Sequence, residues 1–363
     1  MSALLAILYP LSFLIVLSLI VIVHEFGHFW AARRCGVKVD QFSLGFGRVL
    51  WSRKDKKGTE WKICQIPLGG YVQMFGDADA SSAKADESAK EFTEEEKKVS
   101  FPHQPLWKKA LISVAGPAMN YVFAIALLTI FLSIYGIIVV PPVVSSVREG
   151  SAAEIAGILK DDRIEMINGE KINEFDEVRR FVQLDSTLEI VVLRNGEKVS
   201  LTAHLTPETG GAVLGVQALM TREHFRSVSV LQAFVESVKE AWKITYDTLV
   251  ILKRIVLGQR SADDMRGPLG IAEASGDAAR GGVISFILFI IQVSIGIGLV
   301  NLLPIPILDG GHLLFYGIEA VIRRPIDEKV QNIALNIGVA LLLCLLILTS
   351  WNDIVRIFVR LFR

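Results

Sequence analysis

Two short stretches of this chain hold residue types that can carry out hydrolysis. In the first, His24-Glu25-Phe26-Gly27-His28, two imidazoles stand four residues apart. On a helix, positions i and i+4 share a face, so both rings can bind one metal ion, and this pattern is typical of zinc. Glu25 follows the first imidazole and can reach a water on the metal, taking its proton as a general base. A catalytic zinc site needs a third protein ligand and an open position. The second stretch, Asn301 to His312, offers two candidates. Asp309 is favoured, because Gly310 and Gly311 after it permit a tight turn, while Pro304 and Pro306 before it prevent a regular helix. His312 is the rival. Asn301 carries an amide that can pair with an extended substrate backbone. His103, His204 and His224 are isolated and read as solvated or structural.

The elements that must position these residues are membrane helices. Hydrophobic residues make up 52% of the 363 residues and charged ones only 21%, a balance rare in a soluble chain. No charge precedes His24. A helix starting near Pro10, with the proline in its first turn, and ending before Arg33-Arg34 is long enough to cross the ~30 Å hydrocarbon core. A signal peptide fits less well, since there is no basic leader and the apolar run is too long. Further spans are expected over about Leu106–Val140, Val283–Leu303 and Ile333–Thr349. Leu231 to Leu257 is apolar but interrupted by charges. It reads as an amphipathic helix on the membrane or on other helices, with a fifth span as the alternative. Trp351 to Arg363 spaces Arg356, Arg360 and Arg363 among apolar residues, as an interfacial amphipathic turn would.

Arg33, Arg34, Lys38, Lys108, Lys109, Arg323 and Arg324 fall on one side of a four-span arrangement, which marks that side as cytoplasmic. The N-terminus is then outside, and the C-terminal arginines run against the trend. Spans one and three run in the same direction. His24 lies roughly 21 Å along the first helix from Pro10, and Asp309 lies past the proline break at the late end of the third. Both motifs therefore belong to the inner half of the bilayer, where charged groups are costly and usually functional.

The predicted fold class is a polytopic α-helical membrane protein, with about four transmembrane helices, a membrane-associated β-structure and an inserted α+β domain. The expected organisation is helix one with its histidines (1–35), a glycine-punctuated β region (36–75) and a polar cytoplasmic loop (76–105). Helix two (106–140) and a compact α+β module (141–206) follow. A linker with a juxtamembrane amphipathic helix (207–282), helix three (283–322), and helix four with the tail (323–363) complete the chain. Within the module, strands are signalled at Val143-Val144, Arg163–Ile167, Leu188–Leu193 and Lys198–Ala203. Asn168-Gly169 and Asn195-Gly196 signal hairpin turns, and Glu174 to Leu184 has helical spacing. A formal net charge of zero gives no support to nucleic-acid binding. Cys35, Cys64 and Cys344 form neither a disulfide framework nor a thiolate metal site.

Taken together, His24-Glu25-Phe26-Gly27-His28, Gly45-Phe46-Gly47, Leu68-Gly69-Gly70-Tyr71-Val72, Gly116-Pro117-Ala118-Met119-Asn120, Arg266 to Ala272 and Asn301 through Gly311 resemble the site-2 protease family. Their order is similar to its bacterial regulator-of-sigma-E protease subgroup. The resemblance implies an intramembrane zinc endopeptidase with Zn2+ on His24, His28 and Asp309, and Glu25 as base. It implies substrate contacts at Asn301, Gly69, Gly70, Tyr71, Pro304 and Pro306, with Gly45 to Met74 forming a membrane-entering β-structure that clamps an unwound substrate strand. Residues 141–206 would be a PDZ domain, with Asp161 where a glycine is usual and a second tandem PDZ domain lacking. The implied setting is a bacterial inner membrane, with the N-terminus and PDZ domain periplasmic. The implied partners are the lipid bilayer, a PDZ ligand and single-span substrates such as anti-sigma factors, cut in regulated intramembrane proteolysis. Two other classes fit less well. An active Glu25 speaks against a silent PDZ scaffold, and a metal transporter would repeat its ligands along a pore. Four spans exclude a soluble metallopeptidase.

Overall fold

The computed structural model describes residues 3–77, 92–138, 140–184, 186–205, 214–218, 225–258 and 267–361. In chain order the elements are α1 (Ala3–Arg34), β1 (Val39–Lys54), β2 (Glu60–Met74), α2 (Glu94–Val99), α3 (Leu106–Tyr135), β3 (Ile137–Ile138), β4 (Val144–Val147), α4 (Ala152–Ile155), β5 (Arg163–Ile167), β6 (Glu170–Lys171), α5 (Phe175–Leu184), β7 (Thr187–Arg194), β8 (Glu197–His204), β9 (Val216–Ala218), β10 (Phe225–Arg226), α6 (Val230–Val256), α7 (Pro268–Arg280), α8 (Val283–Leu302), α9 (Asp309–Ile322) and α10 (Glu328–Leu361). They form two compact units, Met1–Leu128 with Arg260–Arg363, and Thr129–Gln259.

Among the described residues, four helices are long and apolar enough to cross a membrane: Leu8–Arg34, Leu106–Tyr135, Val283–Leu302 and Glu328–Arg356. The chain is a membrane protein. Its helix boundaries depart from the sequence reading in several places. Helix α1 begins at Ala3, so Pro10 sits inside it instead of in its first turn. One lost amide bond does not stop a helix in so apolar a run. Helix α3 ends at Tyr135, earlier than Val140, because Gly136 turns the chain with φ +82°.

Helix α10 runs on through Trp351, so the tail is a continuation and not a separate interfacial turn. Asp353 anchors this end. It is fully buried, pairs with Arg356, and accepts the Gly270 amide at 2.7 Å. That contact caps the first turn of α7, a helix hidden in the expected linker, where Pro268 occupies the first position. The side chain of Arg360, and all of His224, Arg266 and Arg363, lie outside the described residues, as does 78–91 of the expected loop.

Strands β1 and β2 pair with a bulged register in which Leu44 lies opposite both Gly70 and Ile63. The early part of β1 is therefore flanked by Gly70–Met74 on one side and by the start of β2 on the other. Gly45 and Gly47, both at φ +85°, make the bend possible. The sheet packs on α1 through Phe29, Ala32, Phe42, Val72 and Met74. Its far hairpin is tied to the end of α1 by Asp55, which accepts from Arg33, from the Trp61 indole and from the amides of Lys57 and Thr59. The Ser18 hydroxyl donates to the Pro67 carbonyl, so β2 runs beside the apolar length of α1.

The second unit is built on the antiparallel sheet β6-β5-β7-β8, with β4 paired to β9. Both Asn-Gly pairs sit in hairpin turns with positive φ, as type I′ geometry requires. Ile164, Ile167, Leu188, Ile190 and Val192 of the sheet bury against Val178, Phe181 and Val182 of α5. This module extends beyond residue 206. Leu214 is buried in its core and β9 pairs with β4, although polar residues precede them and resemble a linker. Asp161 has φ +68°, which explains why a glycine suits that position and why Asp is among the few replacements. Helix α6 starts at a Ser229–Gln232 capping box. It exposes Leu231, Val235, Val238, Trp242, Tyr246 and Leu249 along one side.

Candidate metal centre

Helix α1 places His24 and His28 on the same face, one turn apart. Their Nε2 atoms are 3.2 Å from each other and both rings are buried. The chain breaks its helix after Leu302, passes Pro304 and Pro306, and restarts at Asp309. Side chains at Gly310 and Gly311 would collide with the carbonyls of Leu302, Leu303 and Ile305. Only glycine lets the new helix fold back this tightly, and that fold brings the Asp309 carboxylate to the histidines. Oδ2 lies 3.2 Å from His24 Nε2, and Oδ1 lies 3.4 Å from His28 Nε2.

The three side chains fit a zinc ion. Ligand atoms at about 2.0–2.1 Å from a tetrahedral centre are roughly 3.3–3.4 Å apart, close to the separations seen here. Nitrogen and carboxylate donors are the types zinc accepts. Among the described residues, His24, His28 and Asp309 form the one group of this kind, and His312 is not part of it. Helix α3 is shaped to the pair. A side chain on Gly116 would strike both imidazoles, so this position of α3 must be empty. His28 Nδ1 lies 2.8 Å from the Ile112 carbonyl of α3. That carbonyl can only accept, which puts the proton on Nδ1 and leaves Nε2 free to ligate.

Glu25 joins His24, His28, Asn301, Asp309 and His312 around a cavity of about 230 Å³. The Val72 backbone stands beside its carboxylate, and a side chain on Gly70 would stand 3.8 Å from its Cγ. Asn301, from the last turn of α8, thus shares a cavity with residues of α1 and α9. Of the other expected substrate contacts, Gly70 borders Glu25, while Pro304 and Pro306 do not line the cavity. Pro306 packs near Gly311 and Gly338. Tyr71 also turns elsewhere. It stacks on Phe46 at 6.0 Å and donates to Gln41, because alternate strand residues face opposite ways. The strand residues that line the cavity are Val72 and Met74. The bulged register hides that alternation from sequence. Ile112 and Ser113 of α3 also line the cavity, and nothing in an apolar helix marks them in the sequence.

The family model for peptidase family M50 matches residues 12–345. The chain belongs to peptidase family M50. Among its relatives is a protein named "Putative zinc metalloprotease" from Agrobacterium fabrum, 38% identical over 359 residues and covering 95% of both chains. The protein named Metalloprotease MmpA from Caulobacter vibrioides is 36% identical over 380 residues, again with 95% of both covered. A protein named "Putative zinc metalloprotease" from Vibrio cholerae is 29% identical over an alignment of 457 residues, 96% of this chain and 98% of its own. That alignment exceeds the length of this chain, so the Vibrio protein carries residues with no counterpart here.

Proposed function

We propose that this M50 metalloprotease, with zinc as its cofactor, cuts peptide bonds of single-span membrane proteins within or beside the bilayer. His24, His28 and Asp309 hold the ion. The observation that carries this reading is the convergence of those three side chains, drawn from two apolar segments of the chain, beside the half-buried Glu25. When bound, zinc polarises the scissile carbonyl and makes water a better nucleophile. Glu25 takes the proton of the attacking water and passes it to the leaving amine. The Val72 backbone lines the same cavity beside the Glu25 carboxylate. Gly70–Met74 pairs with β1 on one side and runs past Glu25 on the other, so an unwound substrate strand can be read by β-augmentation along it. The Asn301 amide then pairs with the substrate backbone. A helical substrate must unwind first, because its own hydrogen bonds shield the bond to be cut.

The wider setting follows the regulator-of-sigma-E protease subgroup. The strand-rich unit is a single PDZ domain on the periplasmic side of a bacterial inner membrane, with the N-terminus on that side too. It acts as a docking site or size filter, and the substrates include anti-sigma factors already cut outside the membrane, as in regulated intramembrane proteolysis. The test is comparative membrane proteomics of wild type and Glu25→Gln. Single-span fragments should accumulate only in the variant, and purified Glu25→Gln should keep its zinc. An unchanged fragment population, or equal cleavage of a reconstituted single-span substrate by both proteins, would sink the proposal.

A further inference from the structure

A neutral imidazole carries one N–H. If His24 gives Nε2 to a metal, its proton must sit on Nδ1, and a buried N–H needs an acceptor. For His28 the Ile112 carbonyl meets that need. Beside His24 Nδ1 stands the side-chain amide of Asn120, with Nδ2 at 3.4 Å. Asn120 is fully buried, and its Oδ1 has no hydrogen-bond partner. In this orientation the amide suits the other tautomer, where Nδ1 accepts and Nε2–H points at Asp309 Oδ2, 3.2 Å away. That tautomer has no lone pair on Nε2 to offer. Two donors would face each other once Nε2 bound a metal.

We propose that Asn120 is a positioning residue for the metal centre: its amide, turned to present Oδ1, accepts the Nδ1–H of His24 and commits Nε2 of that ring to the ion. The inference rests on the reading of His24, His28 and Asp309 as zinc ligands. The oxygen and nitrogen of an amide are nearly the same size, so the turn needs no repacking. The backbone at Asn120 is fixed. Ser294 of α8 donates to its carbonyl at 2.9 Å, and a side chain on Gly298 would lie 3.1 Å from the Pro117 carbonyl and the Tyr121 ring. What remains free is rotation of the amide itself. Ile112, Gly116 and Asn120 follow one another at single-turn spacing on α3. In that order they supply an acceptor for one histidine, clearance for both rings, and an acceptor for the other.

The test uses the full chain in detergent, with zinc affinity read by competition against a chelator and cobalt(II) absorption as a second probe. Asn120→Leu keeps the shape and removes the acceptor. It should weaken zinc binding about 10–100-fold, the usual cost of losing such a partner, and alter the cobalt spectrum. Asn120→Asp presents an acceptor in either orientation and should hold zinc at least as tightly as wild type, with a wild-type cobalt spectrum. Wild-type zinc affinity in N120L would overturn the assignment, as would faster zinc release from N120D than from wild type. The second result decides the matter even if N120L does not fold. Asp309→Ala separates the two levels. If it loses zinc while N120L does not, only the role of Asn120 fails. If Asp309→Ala also binds zinc normally, the ligand set itself is wrong.

Discussion

The unit Thr129–Gln259 buries aliphatic side chains from neighbouring strands, and its deepest charge, Asp162, is met by Arg194 through two hydrogen bonds at 2.7 and 2.8 Å. The unit around α1 buries His24, His28, Asn120, Ser294 and His312 inside helices that are otherwise apolar. In the first unit a polar group is buried with its partner to close a fold. In the second, polar groups from α1, α3 and α9 gather at or beside a cavity. Glycines differ in the same way. Gly169 and Gly196 serve turns with open space around them, whereas Gly116, Gly310 and Gly311 serve close approach. At these positions a glycine marks a local chain reversal in one unit and close approach around the histidines and Asp309 in the other.

The sharpest way to break this comparison is at the metal centre. Asp309→Ala should abolish zinc retention and cleavage together, while Glu25→Gln should lower cleavage by about 10²–10⁴-fold with zinc retained. Zinc content and turnover on a reconstituted substrate check both. Next in size is Gly116→Ala. One methyl group against both imidazoles should cut zinc affinity at least about tenfold, measurable by chelator competition. Gly196→Ala, the corresponding change in the other unit, should only strain its turn, by roughly 1–2 kcal/mol, and leave zinc binding unchanged.

Arg194→Ala should destabilise the strand-rich unit by about 1–3 kcal/mol, since it leaves the buried Asp162 carboxylate short of donors. Limited proteolysis reads this as earlier cleavage between residues 129 and 259. The smallest expected effect is acid sensitivity at Asp55. Burial pushes its pKa up, but the hydrogen bonds from Arg33, Trp61, Lys57 and Thr59 together bring it down to about 2 from 3.8. A folded-state value below the unfolded one stabilises at pH above the unfolded value. That stabilisation should be lost as pH falls from about 4 to about 2, and Asp55→Asn should flatten the loss. Hydrogen exchange at the β1–β2 hairpin is the measurement.

Much of this was readable in the sequence where one physical rule acts alone. The i and i+4 histidines and the proline–glycine frame of Asp309 depend on helix geometry and backbone freedom. The Asn-Gly turns and the α5 spacing depend on local patterning. What stayed hidden depends on contacts between distant segments. Tyr71 could not be oriented, because bulges reset the strand alternation. Helix α7 reads as linker until Asp353 caps it, and β9 follows residues that look like a spacer. Asn120 was visible only as part of a family motif, since its role needs the distance to His24.

The ion-binding trio has a consequence for biosynthesis. His24 and His28 leave the ribosome well before Asp309, 281 residues after His28. A partly made chain therefore has His24, Glu25 and His28 without Asp309. On the zinc reading proposed above, the chain stays inert during its own insertion until Asp309 has been translated and folded back onto α1.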